Sequence, residues 1–483
     1  MVKTPAATLS MWAVLAHGDF AKTLATLDGP IAMARIPRGR SIFFLNDPNL
    51  VSEATLSKAT SLRDRQDEHS SGDGVVDACG ADWTRRRQGL RVLQTQTEAL
   101  SKPAVADALE VCSCPPYTLM LPPPDVLECA NALVRHALNA IAISVQPGGG
   151  LNNLPAASTS NRHSRGFGAA LGTALLAPLA RLLRGFLRLG AWLTLYYEQA
   201  SGIFRGSSFF NLALLFTSRK RKLERRVSQW SAALKSSQFY TRVGGSVANA
   251  GRGTDWVEAV VTARSAGSAA PVASRPDLLS HLIEADSGLT RQEVVDVLKD
   301  VLTAGGDTTA SSLATAILLL QRYPSAAARV AREGRDAEIA AAAQGATADS
   351  SELAFAKAVL QEATRLYPPA PLLLRVALTD TTLGGHVIPA GSGLVASTER
   401  LGRDPTAWGP DPDAFCPERF LPGHPSFRPP EAGRAYMAFG AGPRSCVGQQ
   451  LALSVASQLL ARLAADALSE GLLENDAHLE RDA

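Results

Sequence analysis

Two short apolar runs open the legible pattern. Residues 31–36 and 41–45 flank Pro37-Arg38-Gly39-Arg40, which predicts two strands joined by a turn. Asp47-Pro48 follows, an N-cap residue with proline at the first helical position, and predicts a helix start. Much later the period changes. Leu289-Thr290-Arg291-Gln292-Glu293-Val294 reads as a capping box flanked by a hydrophobic staple. The apolar stretch behind it stops before Pro324. About 33 residues at ~1.5 Å each predict a helix of ~50 Å, enough to cross a whole molecule. Inside it, Gly305 and Gly306 each cost roughly 1 kcal/mol relative to alanine, so something must compensate. Glu362-Ala363-Thr364-Arg365 lies near the end of another helix, terminated by Pro368-Pro369, and i,i+3 spacing sets Glu362 beside Arg365.

Between these elements the pattern is irregular. Residues 145–165 are rich in Gly, Asn, Ser and Pro and read as a loop. Residues 166–197 are strongly apolar but interrupted by Pro178, Arg181, Arg184 and Arg188. The longest uncharged run, 166–180, has 15 residues, short of the ~20 that span a bilayer. Such a segment either lies in a membrane interface, a peripheral contact, or forms a buried helix pair; both readings stay open. The basic cluster Arg219-Lys220-Arg221-Lys222 with Arg225 and Arg226 reads first as a solvated helix face, with a targeting or redox-partner patch as the alternative. Residues 241–275, rich in Gly, Ser and Ala, read as a surface linker. Pro115, Pro116 and the run Pro122-Pro123-Pro124 interrupt helices.

Composition narrows the classes. With 483 residues and 46% hydrophobic content the chain can bury a sizeable core. A formal net charge of +3 gives no global field for nucleic acid, which is excluded as a partner. Cys79, Cys112, Cys114, Cys129, Cys416 and Cys446 form no Cys-x-x-Cys pair and are too sparse for a disulfide scaffold. A reducing, intracellular compartment follows. The opening residues contain no 18-residue apolar run, which predicts a cytoplasmic or organellar protein without a transmembrane anchor.

The chemistry concentrates in Phe439-Gly440-Ala441-Gly442-Pro443-Arg444-Ser445-Cys446-Val447-Gly448. Phe-x-x-Gly-x-Arg-x-Cys-x-Gly reads as a thiolate-ligand loop, in which Gly442 and Gly448 let backbone come close where a Cβ would clash. The run resembles the cysteine-ligand loop of the cytochrome P450 family. Three upstream motifs agree with it: Trp83-Thr84-Arg85-Arg86-Arg87, Ala304-Gly305-Gly306-Asp307-Thr308-Thr309, and Glu362-Ala363-Thr364-Arg365 with Pro417-Glu418-Arg419-Phe420.

The resemblance implies a mainly α fold with a small β part, a single large helical domain built on the long central helix. It covers roughly residues 28–465, between an N-terminal segment 1–27 and a short acidic tail 466–483. It implies haem b with Cys446 as axial metal ligand. Trp83, Arg87, Arg375 and Arg444 are implied to bind the haem propionates, Phe439 to pack beside the cysteine and Gly448 to let backbone approach. Thr308 and Asp307 are implied to handle protons during oxygen activation, in a helix locally widened at the two glycines. The implied function is monooxygenation of a hydrophobic small molecule, with electrons from a separate reductase or ferredoxin. A haem-thiolate isomerase or dehydratase acting on hydroperoxides, and a non-catalytic haem-binding relative, stay open. Three departures stand out: Gly402 where many members have histidine, poor alignment over residues 100–250, and only 37 residues after Cys446. The last predicts that a C-terminal hairpin is missing or divergent.

Overall fold

The structure, a computed structural model, describes residues 7–10, 29–35, 41–57, 62–63, 80–112, 116–143, 277–284, 288–343, 352–428 and 435–473, with single positions at 75 and 78 and several within 257–265. The expectations for residues 37–40, 145–165, 166–197 and 219–226 lie outside the described residues.

The predicted strand-strand-helix opening forms. β1 (Ala7–Ser10) pairs in parallel with β2 (Ile31–Arg35), which pairs antiparallel with β3 (Ser41–Leu45). β1 was not legible, because four residues carry too little pattern. Asp47 caps Pro48–Ser52, its carboxylate accepting from the Asn49 N–H at 2.7 Å. Strand β4 (Leu62–Arg63), β5 (Leu372–Ala377) and β8 (Gly393–Ser397) complete a six-stranded sheet ordered β1-β2-β3-β8-β5-β4. A two-stranded hairpin, β6 (Thr381–Leu383) and β7 (His386–Ile388), stands apart.

Helices dominate the rest. They include α1 (Gly80–Gly89), α2 (Thr97–Val111), α3 (Pro123–Ala142), α4 (Arg291–Leu320), α5 (Pro324–Ala343), α6 (Ala354–Leu366) and α7 (Gln449–Ser469). The long central helix is α4, with Thr290 as N-cap and both halves of the capping box made. It packs along α3, while α7 packs against α5, α2 and α6. One large apolar core runs through these helices. Helix α7 is long and apolar enough to cross a membrane, but 83% of that stretch is buried, so it serves as a core helix.

Two expectations are corrected. Residues 241–275 are not all surface linker: Val257 and Val261 are helical and buried in the main core. Their i,i+4 spacing makes an apolar stripe inside a composition that otherwise reads as linker. The widening expected at Gly305-Gly306 is also not present as an irregular turn, since Arg291–Leu320 is α-helical throughout. Space explains only the first glycine. A Cβ on Gly305 would lie 3.2 Å from a Leu138 methyl on α3, whereas one on Gly306 would meet nothing within 4 Å.

The Glu362 network forms as implied. Arg365 donates from Nε and Nη2 to the two Glu362 carboxylate oxygens, each at 2.6 Å, and both side chains are fully buried. Its remaining N–H groups reach the carbonyls of Gly402, Pro412 (2.6 Å) and Ala414 (3.0 Å). Arg419 Nε lies 3.5 Å from Glu362 Oε1, an ion pair without an aligned hydrogen bond. Gly402 is accounted for here: a Cβ there would sit 2.2 Å from the Arg365 carbonyl oxygen, so no side chain fits.

Candidate cysteine-ligand site

The loop before α7 is folded by glycine. Gly440 (φ 67°) and Gly442 (φ 71°) occupy the left-handed region, which other residues resist. A Cβ on Gly442 would lie 2.1 Å from the Thr55 carbonyl oxygen, so the loop can sit on that N-terminal turn only with glycine there. The Cys446 N–H donates to the Phe439 carbonyl at 2.8 Å and the Ser445 N–H to Gly442 at 3.0 Å. Gly448 is the residue preceding α7, and its Cβ position lies 3.9 Å from the Cys446 sulfur. Phe439 thus meets Cys446 through the backbone, and its ring stacks edge-on with buried Tyr436 at 6.4 Å.

Cys446 is exposed to solvent, yet protein atoms surround its sulfur. That combination marks a side chain lining a concavity rather than the outer surface. Burial pushes the thiol up, opposed by the Gly448 N–H and by the positive charge of Arg87.

Helix α1 brings two further residues to this loop. Trp83 and Arg87 lie one turn apart, with the Arg87 guanidinium 5.5 Å from the indole centre. Arg444 lies over the same ring at 4.3 Å. Arg87 Nη2 donates to Ser445 Oγ at 3.4 Å, and Arg444 Nη2 to the Ala78 carbonyl at 2.9 Å. Trp83, Arg87, Arg444, Phe439, Gly448 and Cys446 are thus drawn together from two distant parts of the chain. Arg375 is on β5, where its Nη1 donates to the Leu374 carbonyl at 2.8 Å. That strand touches the loop through Leu373, 3.7 Å from the Cβ position of Gly440.

Asp307 and Thr308 sit midway along α4. Thr303, Ala304 and Thr308 are exposed, although Gly306, Thr309 and Ala310 beside them are buried. The Thr308 hydroxyl donates to the Ala304 carbonyl at 2.7 Å, the ordinary i−4 back-bond of a helical threonine. Burial pushes the half-buried Asp307 carboxyl up, partly offset by Arg135 on α3. Val301 and Leu302 of α4 pack on the same core as Phe439 and Val447 of the loop.

Sequence reasoning missed two groups. Arg135 carries no motif; its only signal is a charge three residues before Leu138, on the helix that packs against α4. Arg85 and Arg86 were read only as spacers within the Trp83–Arg87 motif. Both bind Glu293, whose carboxylate is held down to about 2, chiefly by hydrogen bonds from Arg85. The unbroken run Arg85-Arg86-Arg87 was the signal available.

Comparison with known proteins agrees with this geometry. The cytochrome P450 family profile matches residues 242–464, which hold α4, the Glu362 network and the cysteine loop. Trp83 and Arg87 lie before that match. Cyclooctat-9-en-7-ol 5-monooxygenase of Streptomyces melanosporofaciens is 37% identical over 201 residues, covering 40% of this chain and 42% of the relative. Flavonoid 3'-monooxygenase of Arabidopsis thaliana is 37% identical over 203 residues, covering 39% of this chain and 38% of the relative. The chain therefore spans about two fifths of the length of these relatives. Through residues 242–464, which include the loop that presents Cys446, the chain matches the cytochrome P450 family.

Proposed function

We propose that the protein is a haem-thiolate monooxygenase that inserts one oxygen atom from dioxygen into a hydrophobic small molecule. The observation that carries this is the setting of Cys446: an exposed cysteine on the loop that also bears Arg444, against which Trp83 and Arg87 of α1 pack.

These residues fit haem b. Cys446 would supply the thiolate that holds the iron, a form that the Gly448 N–H and Arg87 charge favour against the effect of burial. Arg444, Arg87 and Arg375 offer guanidinium forks to the two propionates, and Trp83 offers an indole N–H. When bound, haem supplies the redox-active iron for oxygen activation, with thiolate donation favouring O–O cleavage.

Proton handling would fall to α4. Asp307 holds its proton more readily than an ordinary carboxyl, so it is suited to deliver one. Thr308 sits next to it, exposed. Its hydroxyl proton is engaged by Ala304 while its oxygen lone pairs remain able to accept from a donor. Swinging that proton away from Ala304 would make it a donor in turn. The electron donor is proposed to be a separate reductase or ferredoxin.

The substrate class follows from two considerations. Catalytic pockets are lined mainly by apolar side chains, and the relatives are named as monooxygenases of cyclooctat-9-en-7-ol and of flavonoids. A hydrophobic alcohol such as cyclooctat-9-en-7-ol or a flavonoid is the first to test. The experiment is the carbon monoxide difference spectrum of the reduced protein, followed by turnover with a reductase. A red-shifted Soret band and dioxygen-dependent product support the reading. Thr308→Ala should keep that band while lowering product per electron consumed by at least about tenfold. Absence of the band, or turnover of a hydroperoxide without reductant, would overturn it.

A further inference from the structure

We infer that Glu293 is a positioning residue for the cysteine site, acting through Arg85 and Arg86 to fix the rotation of α1. This rests on the reading of Cys446 as a haem ligand.

Glu293 does more than a capping residue needs to do. Its Oε2 closes the capping box by accepting from the Thr290 N–H at 2.7 Å, and also accepts from Arg85 Nη1 at 2.7 Å. Its Oε1 accepts from Arg85 Nη2 at 2.6 Å and from Arg86 Nη2 at 3.1 Å. Capping requires one oxygen; here both carry arginine as well. The Glu293 and Arg86 side chains are only 10% and 8% exposed, while Arg85 reaches in from the surface, 33% exposed. Arg85 adds bonds to Asp82 (2.9 Å) and to the Gly288 carbonyl (2.9 Å). The end of α1 is packed just as closely, since a Cβ on Gly89 would lie 3.0 Å from Leu282 and 3.3 Å from Leu289.

The geometry of a helix turns this into a statement about the site. Successive residues rotate by about 100°, so Arg85 points about 180° away from the face shared by Trp83 and Arg87, and Arg86 lies about 80° round from it. One side of α1 is therefore bolted to the start of α4, and the other side meets Arg444 and Ser445. A modest rotation of α1 would break the second set of contacts without unfolding anything. Glu293 is thus the anchor that ties the helix bearing Asp307 and Thr308 to the arginine and tryptophan around Cys446.

Glu293→Gln separates the two jobs. Glutamine can still close a capping box, but it cannot neutralise two guanidiniums. Thr290→Ala is the converse control: it removes the capping hydroxyl and leaves the arginine cluster whole. The readouts are the rate of haem transfer from the holoprotein to apomyoglobin and, separately, the urea unfolding midpoint. Glu293→Gln should speed haem loss by about tenfold, beyond what Thr290→Ala causes at equal loss of stability. Arg86→Gln should act in the same direction, and the double variant should be no worse than the worse single. Should Glu293→Gln fail to fold, Arg86→Gln alone gives the same test, because the cap is intact. Equal haem loss per unit of lost stability in the Thr290 and Glu293 variants would overturn the inference. A wild-type protein that takes up no haem would instead overturn the function on which it rests.

Discussion

Replacing Glu362 with glutamine takes one negative charge out of a fully buried site and keeps its shape. Two bonds from Arg365, both at 2.6 Å, lose their charged acceptor, and Arg419 loses its counter-ion at 3.5 Å. Each charge-assisted bond contributes about 1.5–3 kcal/mol, so the pair alone suggests a loss of about 3–6 kcal/mol. Breaking a buried ion pair by removing one partner costs ~3–5 kcal/mol, which agrees. The environment decides where in that range the variant falls. Arg365 keeps the carbonyls of Gly402, Pro412 and Ala414, and Arg419 keeps those of Trp408 and Asp411. The Cys416 N–H can still donate to the amide oxygen that replaces Glu362 Oε1. The expected loss is therefore about 3 kcal/mol, at the low end. Urea unfolding followed by far-ultraviolet circular dichroism measures it as a lower midpoint with unchanged slope. A loss below about 1 kcal/mol, the range of solvent-exposed pairs, would refute the view that this network is dry and coupled.

Gly334→Ala should destabilise, because its Cβ would lie 2.5 Å from the Ala461 carbonyl oxygen and force α5 away from α7. Overpacking of this kind costs about 1–3 kcal/mol, against a helix-propensity gain of about 1 kcal/mol. Gly306→Ala, with nothing within 4 Å, should carry the opposite sign, and thermal melts of the two variants compare them directly. Acid should weaken the tie between α1 and α4. Glu293 is held down to about 2 from an ordinary 4.5, so its contribution is complete above pH 4.5 and disappears as pH falls toward 2. Asp307 and Glu333, both pushed up by burial, run the other way and lose nothing on acidification. A pH titration of stability should show a wild-type loss below pH 4.5 that Glu293→Gln lacks, measured as the unfolding midpoint.

What the sequence revealed was mostly local or carried by motif. The start of α4 was legible because a capping box lies within four residues, and the cysteine loop because its glycines, arginine and cysteine are close neighbours. The role of Gly402 was not legible, since the carbonyl that excludes a side chain belongs to Arg365, on a different helix. Arg85 and Arg86 were similarly obscure, because their partner lies about two hundred positions away and exists only once α1 meets α4. Thr308 was ambiguous in the sequence for a physical reason. Its bond to Ala304 is what any helical threonine can make, so spacing alone cannot separate a structural hydroxyl from a reactive one. The buried valines at 257 and 261 show the reverse error, where composition hid a helical i,i+4 spacing.

The sheet order sets a timetable for folding. Strand β3 has β2 on one side and β8 on the other, and residue 42 pairs with residue 393. During synthesis the N-terminal hairpin must therefore wait, with one edge of β3 unpaired, until nearly the whole helical domain has emerged. Pairings of such long sequence separation close slowly, because chain entropy is lost before any contact rewards it. An open strand carrying Ile42, Phe43 and Phe44 is meanwhile a template for another nascent chain. The yield of soluble protein should thus depend on the rate of translation and on the supply of chaperones that shield this edge, even where the finished fold is stable.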